Sequence, residues 1–340
     1  MPHHSPDHRD TMTNVLRFGY RVTKYDPADR DEQGRYIGDQ DSTSDHGPIE
    51  AAYLEAVATF AAETGVQRLC IREPELSVIN FGLEPTVPGH GLTGLFPDDL
   101  SGYHDGAEVP MKVWLELVRA MLRDNGAWCR LEAEHRFSVH VGYDQYLYIG
   151  SDQRCERAVT HTRALGLFPE RIDRSPYGAE TNEPGQRTPA DDTFWGKVTA
   201  LVATGRAGLL EENPIEGVSR WHRLDDGGID RVRERLTPRA RVAVWPSLSG
   251  DPVTVLASLS AHHLVQLVWE DQDGHVRATI TDAPSPRVLD GARAATAISC
   301  VAGEQPPLLA AVLPDQDGVL RARWGTEPDQ EHHRPVPPTP

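Results

Sequence analysis

The sequence predicts an α+β fold, in which mixed helices pack on an antiparallel β-meander and a small β-rich C-terminal domain follows. Apolar residues recur at three- and four-residue intervals in separate segments, which indicates amphipathic helices. Residues 128–149 instead alternate polar and apolar side chains in three short runs, which indicates strands with one buried face. Near the C-terminus an Asp-Gln-Asp-Gly motif occurs at residues 271–274 and again at 315–318, and Asp-Gly is typical of hairpin turns.

Length and composition predict the domain organisation. A chain of 340 residues exceeds the usual size of one domain and can bury a main core and a smaller one. Both ends are polar or proline-rich and lack periodicity, so we expect them to be disordered. The expected divisions are a disordered segment at 1–13, an α+β main domain at 14–224, a small β-rich domain at 225–324 and a disordered tail at 325–340.

Local patterns predict the first elements of the main domain. Residues 15–25 have the composition of a strand, and the acidic run that follows is expected to be an exposed loop. A helix is expected from Pro48, which suits a first helical position, to Gly65. Short strands are then expected at residues 69–72 and 76–81.

The clearest predicted helix begins at Pro110 and ends at Asn125-Gly126. Its apolar side chains form one stripe, which contains Trp114, Leu117, Val118, Met121 and Leu122. Two further helices are expected at residues 154–165 and 189–203. These helices would supply the layer that covers the sheet.

Residues 128–149 are expected to form three antiparallel strands. In all three, the odd-numbered residues are expected to face the core and the even-numbered residues the other side. If Gly142-Tyr143-Asp144 is a turn, Val139 pairs with Leu147 on the core face, and His140 faces Tyr146 on the other side. The outer surface then carries five polar or aromatic side chains that the core does not use. They are Arg130, Ser138, His140, Tyr146 and Tyr148.

The C-terminal region contains a weak internal repeat. The two Asp-Gln-Asp-Gly segments match at an offset of 315 − 271 = 44 residues, which predicts two hairpins in a small sheet. The motif also begins like a calcium-binding loop, but it lacks the third acidic position and the closing glutamate. No metal is therefore predicted.

Charge and composition limit the possible partners. The formal net charge of -17 and the pI of about 5.3 oppose non-specific binding to DNA. The longest apolar runs are far shorter than a membrane span, and the N-terminus lacks a secretory signal, so we expect a cytoplasmic protein without a membrane partner. Four isolated cysteines fit neither a zinc site nor a disulfide framework, so we expect free thiols, and no cofactor is predicted.

The outer surface of the meander is the leading candidate for function. Tyr146 and Tyr148 suit base stacking, Ser138 and His140 suit hydrogen bonding to base edges, and Arg130 suits contact with phosphate. We therefore expect a non-catalytic binding module for single-stranded RNA. A protein-partner adaptor without RNA stays open as an alternative. A helix or the C-terminal domain could also cover this face, which would then have no binding role.

A long loop offers an enzymatic alternative. Its carboxylates and titratable rings would suit a hydrolase or transferase. The residues concerned are Asp98, Asp99, Tyr103, His104 and Asp105. Common nucleophile and P-loop motifs are absent from the sequence, and the G-x-G-x-x-G match at residues 89–94 follows prolines and not a strand, so nucleotide binding is not predicted there.

Four segments are distinctive enough to indicate a family. They are RVTKYDPADRD at 21–31, SDHGPIEAAY at 44–53, LVRAMLRDNGAWCRLE at 117–132 and VHVGYDQYLY at 139–148. Through these segments, residues 18–224 resemble a family of actinobacterial, Streptomyces-type proteins that are often labelled only as RNA-binding proteins. The resemblance implies RNA binding without assigning a contact to any residue, and residues 225–340 lie outside it.

Overall fold

The structure, a computed structural model, confirms the predicted α+β class with a β-rich C-terminal region. It describes residues 16–33, 35–39, 44–76, 91–142, 145–173, 175, 187–225, 227–248, 250–258, 264–282, 286–301 and 303–324. All pairings between the named strands of this part of the chain are antiparallel. Within it, no helix combines the length and the apolar character needed to cross a membrane.

A seven-stranded antiparallel sheet forms the larger part of the fold. Its strands are β1 (Phe18–Thr23), β2 (Arg68–Leu76), β3 (Glu108–Pro110), β4 (Ala127–Ala133), β5 (Phe137–Val141), β6 (Leu147–Ser151) and β7 (Phe168–Ile172). They are arranged in the order β3-β2-β4-β5-β6-β1-β7. The N-terminal strand β1 therefore lies inside the sheet, between β6 and β7.

Three helices cover one face of this sheet. They are α1 (Pro48–Glu63), α2 (Met111–Leu122) and α3 (Glu156–Ala164). Phe60 of α1 and Trp114 of α2 are fully buried in one core with alternate strand residues such as Leu131 and Val139. Burying these apolar stripes against the sheet is the main stabilising contribution to this layer.

Polar contacts at the start of α1 fix its position. The carboxylate of Asp45 accepts hydrogen bonds from the backbone N–H groups of Ile49 at 3.0 Å and Glu50 at 2.9 Å. These donors have no partner within the helix, so the contacts stabilise its first turn. The buried Glu50 in turn accepts two hydrogen bonds of 2.7 Å from Arg123, which directly follows α2.

A four-stranded sheet follows in the chain. Its strands are β8 (Leu209–Ile215), β9 (Val218–Arg223), β10 (Arg241–Trp245) and β14 (Leu309–Val312), in the order β14-β10-β8-β9. The helices α4 (Asp192–Ala203) and α5 (Ile229–Arg233) accompany it. Phe194 and Val198 of α4 share a core with Val242 and Val244 of β10.

The boundary expected between residues 224 and 225 falls inside this sheet. β8 and β9 precede it and β10 and β14 follow it, and β8 pairs with β10 from Leu209 opposite Trp245 to Asn213 opposite Arg241. The Asp- and Gly-rich residues that suggested a linker belong to the connection from β9 to α5. Their composition identifies a break between elements but carries no information on whether the elements on either side share a sheet.

A three-stranded sheet completes the described chain. It contains β11 (Val265–Glu270), β12 (Val276–Thr281) and β13 (Ala294–Ser299), in the order β12-β11-β13, and α6 (Pro252–Ser258) precedes it. The first Asp-Gln-Asp-Gly motif connects β11 and β12, as predicted. The second forms the same local turn, since Asp315 donates its N–H to the Val319 carbonyl at 3.0 Å as Asp271 does to His275 at 2.9 Å. No strand pairing follows it within the described residues, so the prediction of a second hairpin is wrong.

The first Asp-Gln-Asp-Gly turn also brings three potential metal ligands together. One ligand atom from each of Asp271, Asp273 and His275 lies within 4.8 Å of the others. The Asp271 carboxylate already pairs with Arg277 at 2.8 Å, and the three residues are accessible to solvent. The turn explains their proximity, and we assign no metal to it.

The register of the β-meander differs from the predicted one by two residues. His140 lies opposite Tyr148, and Val139 lies opposite Ile149 and not Leu147. A shift of two residues leaves every side chain on the same face of the sheet. The prediction of which residues share a face is therefore confirmed, whereas the predicted cross-strand pairs are wrong. The turn is centred one residue further along the chain than predicted, because Gly142 is itself paired and donates its N–H to the Tyr146 carbonyl at 2.7 Å.

Two other strand predictions also change. β2 continues through Pro74 as one strand, with an irregularity in its pairing to β4 between Arg72 and Glu75, where two separate strands were expected. Residues 77–81 of the expected second strand lie outside the described residues. β7 was not predicted, because its five residues contain proline and charged side chains and lack apolar alternation.

Candidate functional site

The sheet face opposite the helices, which we call the outer face, carries the predicted binding residues. Because Leu131, Val139 and Ile149 point into the core, the residues between them lie on the outer face. One row of cross-strand neighbours, the middle row, runs from β2 to β7. It contains Arg72, Arg130, His140, Tyr148, Arg21 and Glu170.

An aromatic stack occupies the centre of the middle row. The rings of His140 and Tyr148 are stacked, with centroids 5.1 Å apart and planes 12° apart, and Trp128 meets His140 edge-on at 6.4 Å. His140 is only 5% exposed, and burial, reinforced by the positive charge of Arg130, lowers its pKa to about 3. The imidazole is therefore neutral near pH 7 and supports the Tyr148 ring without adding charge.

Arg130 is held by an acidic neighbour. Its Nη1 lies 2.8 Å from a carboxylate oxygen of Glu73, and both side chains are largely buried. The guanidinium also lies 5.9 Å from the centroid of the Trp128 ring. Arg130 thus stabilises the β4 part of the outer face, and more exposed arginines are better placed than Arg130 to meet a ligand phosphate.

Tyr146 lies beside the stack, immediately before β6. Its ring meets Tyr25 at 5.7 Å, and the guanidinium of Arg21 lies 5.5 Å from its centroid. Arg21 also pairs with Glu170 at 2.5 Å. Tyr146, Tyr148 and Arg21 are each half-buried, so each presents part of its side chain to solvent.

Ser138 lies in a row with two glycines of the next two strands. It lies opposite Gly150 of β6, which in turn lies opposite Gly19 of β1. A Cβ atom at Gly150 would come within 2.5 Å of the Ser138 Oγ and 2.6 Å of the Leu16 Cδ1. The absence of a side chain at Gly150 therefore makes room for the side chains of Ser138 and Leu16.

A cavity of about 670 Å³, which we call the arginine cavity, adjoins the β1–β7 end of the middle row. Its lining contains Arg21, Pro27, Arg30, Arg163, Pro169, Glu170 and Arg171. Arg163 and Arg171 are exposed and form no ion pair with any residue that the structure describes. Four guanidinium groups beside one carboxylate make this a locally cationic region in a chain of net charge -17.

Residues 321–324 cover the opposite end of the outer face, at β2 and β4. Arg323 donates two hydrogen bonds to the carboxylate of Glu132, at 2.8 and 2.6 Å. Burial opposes ionisation of Glu132, but these bonds keep its pKa below the usual value. Arg72 donates to the Arg321 carbonyl at 2.8 Å. The C-terminal region thus covers part of the outer face, at the end away from Arg21.

The two most buried residues of the predicted enzymatic loop have structural roles. Tyr103 donates its hydroxyl proton to the Trp128 carbonyl at 2.8 Å, and burial raises its pKa well above the ordinary value. Asp105 lies 3.4 Å from Arg72 and 3.3 Å from Arg239, and it accepts the backbone N–H of Glu73 at 2.8 Å. Both are about 1% exposed, so neither is accessible to a substrate.

The remaining loop residues do not join them in one site. Asp98 and Asp99 are exposed, and the pKa of Asp99 is lowered by hydrogen bonds from Ser101. The His104 Nδ1 lies 2.9 Å from the Asp105 carbonyl oxygen and is thereby engaged with its own loop. Tyr103, His104 and Asp105 contact different groups, while Asp98 and Asp99 are exposed, so these contacts do not assemble the five side chains into one site.

Comparisons of the whole chain with protein-family models, with curated proteins and with solved structures find no match. The geometry described above is therefore the basis for any functional assignment.

Proposed function

We propose that the protein binds single-stranded RNA on its outer face, with bases stacked on Tyr146 and Tyr148 and phosphates held in the arginine cavity. The observation that carries this proposal is the position of Arg21. It lies between Tyr148 and Glu170 in the middle row and also lines the cavity. A base stacked on the tyrosines and the adjoining phosphate in the cavity would then lie on either side of Arg21.

The aromatic part of the surface is suited to stacking. Stacked bases contribute about 1–3 kcal/mol each, and every base has a π-face, so such sites tolerate different sequences. His140 lies behind Tyr148 and restricts the orientation of its ring. A ring that is already ordered loses less entropy on binding.

The charge distribution limits how many phosphates can bind. The chain as a whole repels RNA, since its net charge is -17, and the cations suited to phosphate contact are concentrated in the arginine cavity. If Arg163 and Arg171 each neutralise one phosphate, the slope of log K against log salt should be about -1.4, from roughly -0.7 per contact. We therefore expect a shallow salt dependence.

Fluorescence anisotropy with short labelled single-stranded RNAs, at about 50 and about 200 mM salt, tests the proposal. Tyr146→Ala combined with Tyr148→Ala should raise Kd about thirtyfold or more, because two stacking contacts are lost. Tyr146→Phe combined with Tyr148→Phe retains both rings and should bind like the wild type. Arg163→Gln with Arg171→Gln should weaken binding and flatten the salt slope.

A matched pair of charge substitutions controls for net charge. Lys197 and Arg206 are exposed and lie outside the lining of the arginine cavity, so Lys197→Gln with Arg206→Gln should leave RNA affinity almost unchanged. Absence of RNA binding by the wild type, or equal binding by the double alanine variant, would refute the proposal. Either result would favour the protein-partner adaptor for this face.

A further inference from the structure

A second arginine-rich cleft lies between β9, α5 and the β11–β12 hairpin. It is lined by residues from 219–235 and 269–278, which come after the strands of the outer face in the chain. It has a volume of about 630 Å³, within the range of small-ligand sites. Five arginines line it, namely Arg220, Arg223, Arg231, Arg235 and Arg277. Among the described residues of its lining, the one carboxylate is Asp225.

The cleft is built on two packed sheets. β9 is an edge strand of the four-stranded sheet and β12 is an edge strand of the three-stranded sheet. Trp221 of β9 packs with Val268 and Ala278 in the core between them. Arg220, Arg223 and Arg277 therefore project from strands that meet at this core, while Arg231 lies on α5 and Arg235 follows its end.

Two of the five arginines already have carboxylate partners. Arg223 pairs with Glu270, and Arg277 pairs with Asp271 at 2.8 Å. These pairs neutralise Arg223 of β9 and Arg277 of β12. Any ligand charge must therefore be balanced chiefly by Arg231 and Arg235.

The α5 side of the cleft keeps its positive charge. Arg231 and Arg235 are exposed, stand four residues apart, and form no ion pair or side-chain hydrogen bond with any residue that the structure describes. Arg220 is already engaged, since it donates to the Thr237 Oγ1 at 3.0 Å and to the Asp99 carbonyl oxygen, and its charge acts on the Asp99 carboxylate. The guanidinium groups of Arg231 and Arg235, held on one side of a concave surface, favour an anion.

A buried donor in the wall of the cleft is an independent indication. Trp221 is 8% exposed, and its Nε1–H has no hydrogen-bond acceptor among the described residues. A buried N–H group of this kind is normally satisfied. Because Trp221 lines the cleft, an acceptor oxygen that reaches its Nε1–H would supply the missing partner.

We propose that this cleft binds a compact, multiply charged phosphate anion, such as the triphosphate group of a nucleotide or an inorganic polyphosphate. Arg231 and Arg235 contact its phosphate oxygens, with Arg220 next to them. The planar guanidinium group can donate two parallel hydrogen bonds to a phosphate, which distinguishes this ligand from a halide. The site is independent of the RNA surface, since the two linings share no residue.

Isothermal titration calorimetry of the full chain at constant ionic strength, with tripolyphosphate, ATP and adenosine as probes, tests the inference. We expect tripolyphosphate and ATP to bind with one-to-one stoichiometry and adenosine not to bind. Arg231→Gln with Arg235→Gln should raise Kd at least tenfold, whereas the Lys197→Gln, Arg206→Gln control should not change it. Much tighter binding of ATP than of tripolyphosphate would identify a nucleotide as the ligand, and equal binding would identify inorganic polyphosphate.

Hydrogen–deuterium exchange on the wild-type protein locates the site without relying on a variant. Protection by tripolyphosphate should be concentrated in residues 218–223 and 228–235. Absence of binding, equal loss of affinity in the control variant, or protection elsewhere in the chain would overturn the inference. Undiminished RNA binding by Arg231→Gln with Arg235→Gln would show that the two sites are separate.

Discussion

The imidazole of His140 lies parallel to the ring of Tyr148 across the β5–β6 pair, with 5.1 Å between the ring centroids. The contact places an ionisable ring in a buried position, only 5% exposed, close to the positive charge of Arg130. Both conditions disfavour the imidazolium form. The stack is therefore stable as long as His140 stays neutral, which makes the stability of the protein depend on pH.

We expect His140→Gln to reduce the loss of stability in acid. The pKa of His140 falls from 6.5 to about 3 on folding, so between these values the unfolded chain binds more protons, and the free energy of unfolding decreases as pH falls. The slope from this one group is about 1.4 kcal/mol per pH unit. Urea unfolding at several pH values below 6.5 should show a shallower decline for the variant.

His135→Gln is the matched control, because the side chain of His135 is 68% exposed. It should retain the wild-type slope. If His140→Gln has the same pH dependence as the wild type, His140 is not buried and neutral as described.

We expect Asp105→Asn to destabilise the protein through its connection between two regions of the chain. The carboxylate is fully buried and lies near Arg72 of β2 and Arg239, which precedes β10. Removing its charge leaves two buried cations undercompensated, at a cost of about 3 kcal/mol. Thermal denaturation should show a lower Tm. Glu134→Gln, at a 77% exposed carboxylate, is the control, and equal Tm values for the two variants would contradict this role of Asp105.

The sequence was sufficient to predict which residues share a face of the meander but not which residues pair. Alternation depends on each strand alone, so Val139 and Ile149 could be assigned to the core from local pattern. Pairing depends on where the turn is centred, and the hydrogen bond from Gly142 to Tyr146 places the centre one residue further along the chain than predicted. A shift of two residues preserves every face assignment, so the pattern could not detect it.

The candidate site was only partly predictable for a related reason. Tyr146 and Tyr148 were found because they lie within one recognisable hairpin. Arg21 and Arg163 come from a strand and a helix separated in sequence, and their proximity depends on β1 pairing with both β6 and β7. No local pattern encodes such long-range pairing. Likewise, the contact of Arg323 with β4 could not be inferred from either segment alone.

We expect Cys300 to be alkylated in the native protein well before Cys129. Cys129 is fully buried, and burial raises its pKa to about 12, so its thiolate population at pH 8 is roughly three orders of magnitude below that of an ordinary thiol. Cys300 is exposed. Iodoacetamide labelling followed by peptide mass spectrometry should find early modification at Cys300, and at Cys129 only after denaturation. Cys300→Ser should abolish the early signal, and rapid labelling of Cys129 would contradict its burial.

We expect a fragment of residues 1–224 not to fold as a stable unit, although composition placed a domain boundary there. Truncation removes β10 and β14, so β8 loses the hydrogen-bonded partner that runs from Arg241 to Trp245. It also exposes Phe194 and Val198, which pack against β10 in the intact protein. An unpaired strand beside an exposed apolar face favours aggregation.

The measurement compares this fragment with a chain of residues 1–324, which retains all four strands of the sheet. Urea unfolding followed by tryptophan fluorescence should show a cooperative transition for the longer chain. The shorter one should have a lower midpoint, a smaller m-value and increased binding of a hydrophobic dye, since less surface is buried on folding. If the 1–224 fragment instead unfolds cooperatively at the same midpoint, β8 and β9 are stable without β10. The boundary predicted from composition would then be a true domain boundary despite the shared sheet.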